Sequence, residues 1–119
     1  MRGLHYQKKP NEETKIVRCT QGIIFDVAVD LRPDSQTYAK WYGLELTPEN
    51  GKALYIPKGF AHGFITLADA TTIQYFISDP YVPSSSCGIR WNDPSIGIQW
   101  PLDPKVINQR DSSFPDIVT

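Results

Sequence analysis

Residues 23–30, Ile-Ile-Phe-Asp-Val-Ala-Val-Asp, leave the chain little choice of local structure. β-Branched and aromatic residues fit a pleated, half-buried surface. The side chains alternate with a period of two. Phe25, Val27 and Val29 share one face, and Asp26, Ala28 and Asp30 share the other. Such a run reads as a strand. A carboxylate in mid-strand costs free energy when buried without a partner, so the Asp26 face is expected to be wet or to meet a cation.

The same period recurs along the chain. Arg2 to Gln7 alternates Leu4 and Tyr6 with His5 and Gln7, and Gly3 permits a close backbone approach beside Arg2. Residues 15–19 put Lys15, Val17 and Cys19 on one side and Ile16 and Arg18 on the other. Further strands are expected over 37–46, 53–56, 65–67 and 71–78, with short ones at 89–91 and 96–100. Turn signals separate them: Pro10-Asn11, Gln21-Gly22, Pro33-Asp34-Ser35, Asn50-Gly51, the glycines and proline around His62, and Asn92-Asp93-Pro94. No helical periodicity is present beyond one turn near 108–111. Many short strands without helices predict an all-β, antiparallel sandwich or barrel, and we assign a jelly roll as one domain over residues 1–119. A chain that opens directly on a strand is expected to leave that strand at a sheet edge.

The charge balance narrows the function. Twelve cationic against thirteen anionic side chains give a formal net charge of −1, so no broad basic field addresses nucleic acid. A local cluster of cations can still hold a phosphate. No long apolar run suggests a membrane span. Cys19 and Cys87 have no metal-type spacing and read as reduced thiols of a cytoplasmic protein. The chain has two histidines, His5 and His62. A near-neutral pKa makes His5 the natural candidate for a base, set against the plainer reading of a polar strand face. Tyr75 between Ile73 and Ile77 would ordinarily be a core aromatic, Lys15 and Asp26 a surface ion pair, and Asp111 a solvated residue.

Five stretches, in order over nearly the whole chain, resemble the dTDP-4-dehydrorhamnose 3,5-epimerase family. They are Arg2-Gly-Leu-His-Tyr-Gln7, Lys15-Ile-Val-Arg-Cys19, Ile24-Phe-Asp-Val-Ala-Val-Asp-Leu-Arg32, Ile56-Pro-Lys-Gly-Phe-Ala-His-Gly-Phe64, and Gly88-Ile-Arg-Trp-Asn-Asp-Pro94 with Trp100-Pro101. The resemblance implies a cupin-type jelly roll that works as a homodimer without metal or cofactor. The implied substrate is a dTDP-4-keto-6-deoxyhexose, epimerised at C3, C5 or both through an enolate, in dTDP-L-rhamnose and lipopolysaccharide biosynthesis. By the same resemblance His5 is the catalytic base, Asp111 the carboxylate paired with it, and Tyr75 the proton donor on the opposite face of the sugar. Lys15 lies near the sugar carbonyl and is held by Asp26. Arg2, Gln7 and His62 contact the substrate.

The residue types suit that chemistry. Protons at C3 and C5 lie α to the C4 carbonyl, and inversion needs a base on one face and an acid on the other. A histidine oriented by a carboxylate serves the first need, a tyrosine the second, and a lysine cation at the enolate oxygen stabilises charge that develops in the transition state. Metal-binding cupins use a third histidine and a His-x-His pair, and this chain has neither. Family members carry roughly sixty further residues ahead of the Arg-Gly-Leu-His stretch, with strands exchanged across the dimer and contacts to the nucleotide. A non-catalytic nucleotide-sugar or carbohydrate binding module derived from such an epimerase is the alternative reading.

Overall fold

A computed structural model describes residues 1–117. Among these residues, eight strands form two antiparallel sheets: β1 (Arg2–Gln7), β2 (Lys15–Gln21), β3 (Ile24–Asp30), β4 (Trp41–Leu46), β5 (Ala53–Ile56), β6 (Phe60–Thr66), β7 (Thr72–Ile77) and β8 (Ser86–Gly88). The larger sheet has the order β4-β3-β6-β1-β8, and the smaller one β5-β2-β7. This is the all-β jelly roll expected from the alternating pattern. One helical turn, α1 (Gln109–Ser112), is capped by the Asn108 side chain, which accepts from the Asp111 N–H at 2.7 Å.

Strand β3 shows why its pattern was so constraining. Its even-numbered residues Ile24 and Ala28 join Val17, Leu46, Leu54 and Ile56 in the core between the sheets. Its odd-numbered residues Val27 and Val29 join Leu4, Ala61 and Ile89 in a second core on the other face of the larger sheet. Residues 89–117 cover that second core, with Ile96, Ile98 and Trp100 packed against it. Burial of each such aliphatic side chain contributes roughly 1.5–3 kcal/mol. The Asp26 face is therefore neither wet nor met by a lysine; a histidine meets it, as described below.

Several expected boundaries move. Strand β1 is interior, paired with β6 on one side and β8 on the other, so the expected open edge at Arg2–Gln7 is corrected. The strand expected over 37–46 begins only at Trp41. The cause is Asp30, fully buried, whose carboxylate accepts from Arg32 at 3.0 Å and from the hydroxyls of Ser35 and Thr37 at 2.5 Å. Those bonds gather residues 31–39 into turns. The histidine-containing segment read as a turn is instead the central strand β6, flanked by β3 and β1. The short strands expected at 89–91 and 96–100 are irregular chain. Ile89 exchanges two backbone hydrogen bonds with Leu4, and Asp93 accepts from the Ser95 and Ile117 N–H groups as the segment crosses the second core. Cys19 and Cys87 are free thiols.

Candidate active site

His5 is brought to its place by an unusual approach of two backbones. Gly3 has φ +112°, and a Cβ there would lie 2.6 Å from the Gly63 Cα and the His62 carbonyl oxygen. Only glycine fits that contact and that dihedral. The Gly3 N–H then donates to Asp111 Oδ2 at 3.1 Å. His5 Nε2–H donates to Asp111 Oδ1 at 2.7 Å, across 106 residues of sequence. Asp111 is fully buried, so both its oxygens are satisfied from β1. With Nε2 committed to a carboxylate, Nδ1 is the nitrogen that carries the free lone pair. Burial pushes the His5 pKa below its usual 6.5; the hydrogen bond and charge of Asp111 oppose that shift, while Arg2 and Lys15 reinforce it. His5 is accordingly a neutral imidazole near pH 7.

A second histidine–carboxylate pair faces the first. His62 lies directly opposite His5 in the β1/β6 register. Its Nε2 is 2.5 Å from Asp26 Oδ1, both residues being buried. The pairing follows from the ladder, since Ala28 opposes His62 and Asp26 is its diagonal neighbour on the same face. The expectation that Asp26 holds Lys15 directly is thus corrected: its hydrogen-bond partner is His62. Lys15 Nζ instead pairs with Glu13 Oε1 at 3.5 Å, and Asp26 acts on it through its charge. Burial lowers the Lys15 pKa, against the pull of Glu13 and Asp26. Asp26 Oδ2 is buried without a hydrogen-bond partner.

Tyr75 comes from the other sheet. It pairs with Val17 in the β2/β7 register and is 37% exposed, with its ring edge-to-face against His62 at 6.0 Å. Burial, reinforced by Asp26 and opposed by Arg2, pushes the phenol up to about 12. Arg2, His5, Lys15, His62 and Tyr75 line a chamber of about 190 Å³ between the sheets, with Phe64 and Ile77 as its apolar wall. A second chamber of about 480 Å³ shares Arg2, His5 and Lys15 and continues past Tyr81, Ser86 and Arg110.

Gln7 departs from its expected role. It borders the outer chamber, but its side-chain amide donates to the Asn11 carbonyl at 2.7 Å and its oxygen accepts from the Val82 N–H at 2.7 Å. It frames the pocket wall and offers no free polar group. Glu13 is the residue that sequence reasoning missed, although its period-two spacing from Lys15 was a usable signal. A cavity of about 520 Å³ between Lys9, Glu12, Arg32 and Lys58 holds none of the candidate residues, and its Arg32 is committed to Asp30. Among the described residues, no three His, Cys, Asp or Glu side chains are grouped to hold a metal ion.

Fold and site together define a cupin-like jelly roll with a histidine–carboxylate pair, a lysine and a tyrosine gathered in one chamber between its sheets. The chain belongs to the dTDP-4-dehydrorhamnose 3,5-epimerase family, whose model matches residues 1–118. It is 49% identical over 118 residues to the dTDP-4-dehydrorhamnose 3,5-epimerase of Sinorhizobium fredii, covering 98% of this chain and 60% of that one. Its structure resembles that of the Bacillus anthracis enzyme of the same name, solved with TDP and PPi bound, with a TM-score of 0.94, 41% identity, and coverage of 98% and 66%. It also resembles a Legionella pneumophila dTDP-6-deoxy-D-glucose-3,5-epimerase in complex with dTDP-4-keto-L-rhamnose, with a TM-score of 0.89, 41% identity, and coverage of 94% and 60%. The chain spans about three fifths to two thirds of the length of these relatives.

Proposed function

We propose that this protein epimerises a dTDP-4-keto-6-deoxyhexose at C3, C5 or both, with residues 1–119 acting as one cupin-like epimerase domain. The observation that carries the reading is the placement of His5, already paired to Asp111, in the same small chamber as Lys15 and Tyr75. His5 Nδ1 removes the proton α to the C4 carbonyl. The electron pair passes to the carbonyl oxygen, where the Lys15 ammonium meets the developing negative charge. Tyr75 then returns a proton to the opposite face of the carbon. Its raised pKa keeps the phenol protonated through neutral pH, ready to donate to a strongly basic enolate carbon. One turnover leaves His5 protonated and Tyr75 ionised, and exchange with solvent resets both.

The outer chamber suits the nucleotide diphosphate. Arg2 stands where the two chambers meet, and Arg110 lines the outer one. Guanidinium groups suit bidentate recognition of phosphate oxygens. His62 shapes the sugar end from β6. We read the protein as a cytoplasmic homodimer. Support for self-association comes from Ile16, Tyr55 and Phe76, an exposed apolar row across the outer face of the smaller sheet. The free thiols fit a reducing compartment.

Proton NMR of the protein with dTDP-4-keto-6-deoxyglucose in deuterated water tests the reading. Loss of the C3 or C5 proton signal is expected, and the signal that fades identifies the reacting centre. A protein that binds the nucleotide sugar and exchanges neither proton would refute epimerase chemistry and leave the binding-module alternative.

A further inference from the structure

The segment that delivers Asp111 also delivers a second residue to His5. The Phe114 ring meets the imidazole edge-to-face, centroids 6.0 Å apart and planes at 82°. The space for that ring exists because Gly88, directly opposite His5 in the β1/β8 register, has no side chain. A Cβ at Gly88 would lie 2.2 Å from two Phe114 ring carbons. Other contacts fix the ring from its own side. The Arg110 guanidinium lies 5.6 Å from the ring centroid and donates to Ser86 Oγ at 2.8 Å. The Phe114 carbonyl accepts from Arg90 at 3.3 Å, and Arg90 also pairs with Asp116. Phe114 lines neither chamber.

We propose that Phe114 is a positioning residue for His5: it excludes water from the His5–Asp111 pair and holds the imidazole plane so that Nδ1 stays free toward the chamber. The pair alone does not account for a neutral histidine. A carboxylate at 2.7 Å favours the imidazolium; loss of hydration around the ring is the largest influence against it, with the Arg2 and Lys15 charges acting in the same direction. An aromatic edge supplies that loss without adding a charge or a competing hydrogen bond. The other charged and titratable groups around His5 come from several elements. Arg110 and Asp111 come from α1, Arg2 from its own strand, Lys15 from β2 with Glu13 beside it, and His62 from β6. Cys87 of β8 opposes Tyr6. Removing Phe114 changes none of them chemically.

The proposal rests on the reading of His5 as the base, and its test separates the two. The chain has only two histidines, so their imidazole resonances can be titrated individually by NMR with no ligand present. Phe114→Ala is expected to raise the His5 pKa by about half a unit or more, as water returns and Asp111 dominates. Phe114→Tyr restores the parent value, and Phe114→Leu falls between. Gly88→Ala, which drives the ring away, shifts His5 in the same direction as Phe114→Ala. A freed Arg110 cation would lower the pKa, so the direction alone distinguishes loss of cover from movement of that charge. A folded Phe114→Ala with an unchanged or lowered His5 pKa overturns the proposal. If that variant does not fold, an unmoved His5 in Phe114→Leu overturns it equally. In deuterium exchange, the acid limb of the pH profile moves with the His5 titration. A shifted titration with an unmoved acid limb supports the positioning role and refutes His5 as the base.

Discussion

Replacing Asp111 by asparagine changes one atom and, on this geometry, removes the base without removing the histidine. The carboxylate is fully buried and accepts two bonds, from His5 Nε2 at 2.7 Å and from the Gly3 N–H at 3.1 Å. Asparagine has one oxygen for the two donors. If that oxygen stays on Gly3, its NH₂ faces Nε2, which must then become the acceptor. The imidazole proton moves to Nδ1, and the lone pair needed to take a proton from carbon is gone. If the amide turns round, a donor faces the buried Gly3 N–H and leaves it unsatisfied. Either arrangement exchanges a charge-assisted bond for a neutral one and costs about 1–3 kcal/mol. In a domain of this size that lowers the melting temperature by about 4–12 °C. Loss of the productive tautomer is expected to slow C–H exchange by about 100- to 10,000-fold, at roughly 1.4 kcal/mol per tenfold. The assays are a thermal melt by circular dichroism and deuterium wash-in followed by proton NMR. A folded Asp111→Asn protein that exchanges within about tenfold of the parent rate would refute the argument from tautomer and orientation.

Tyr75→Phe is expected to keep the fold and to retain deuterium wash-in from the His5 side, while formation of inverted product falls by about 100-fold; equal loss of exchange and inversion would deny Tyr75 the donor role. Gly3→Ala forces a Cβ to within 2.6 Å of the Gly63 backbone at a φ of +112°, and is expected to destabilise the protein by about 2–4 kcal/mol in urea unfolding. The depressed pKa of His5 makes the unfolded chain the better proton binder below the ordinary value of 6.5. Its contribution is complete above that pH and is lost as the pH falls through the lower, folded value. His5→Gln should therefore show a flatter stability profile in that window in urea titrations run from pH 7.5 to 5.

Alternation made the strands legible, and it made their inward faces legible too. Lys15, Val17 and Cys19 share a face with Ile73, Tyr75 and Ile77 across the ladder, as the period of two requires. What alternation does not encode is what lies on the far side of a face. Asp26 read as a residue in want of water or a cation because nothing local marks His62, thirty-six residues on, as its diagonal neighbour. Residues 37–40 carry strand-like side chains, but the Asp30 carboxylate outcompetes the ladder by taking up the Ser35 and Thr37 hydroxyls. Gln7 has the right type and place to touch a ligand, and its amide went to backbone groups of the 80–82 loop and Asn11, which no pattern on its own strand announces. The His5–Asp111 pairing came from resemblance alone; Phe114 had no sequence signal apart from the small residue at 88 that makes room for it.

The hydrogen bond between His5 and Asp111 joins positions 106 residues apart. During synthesis, every residue that lines the inner chamber is made before the carboxylate that pairs with His5. Until α1 has been made and has docked against β1, His5 and the Gly3 N–H are both without their carboxylate partner.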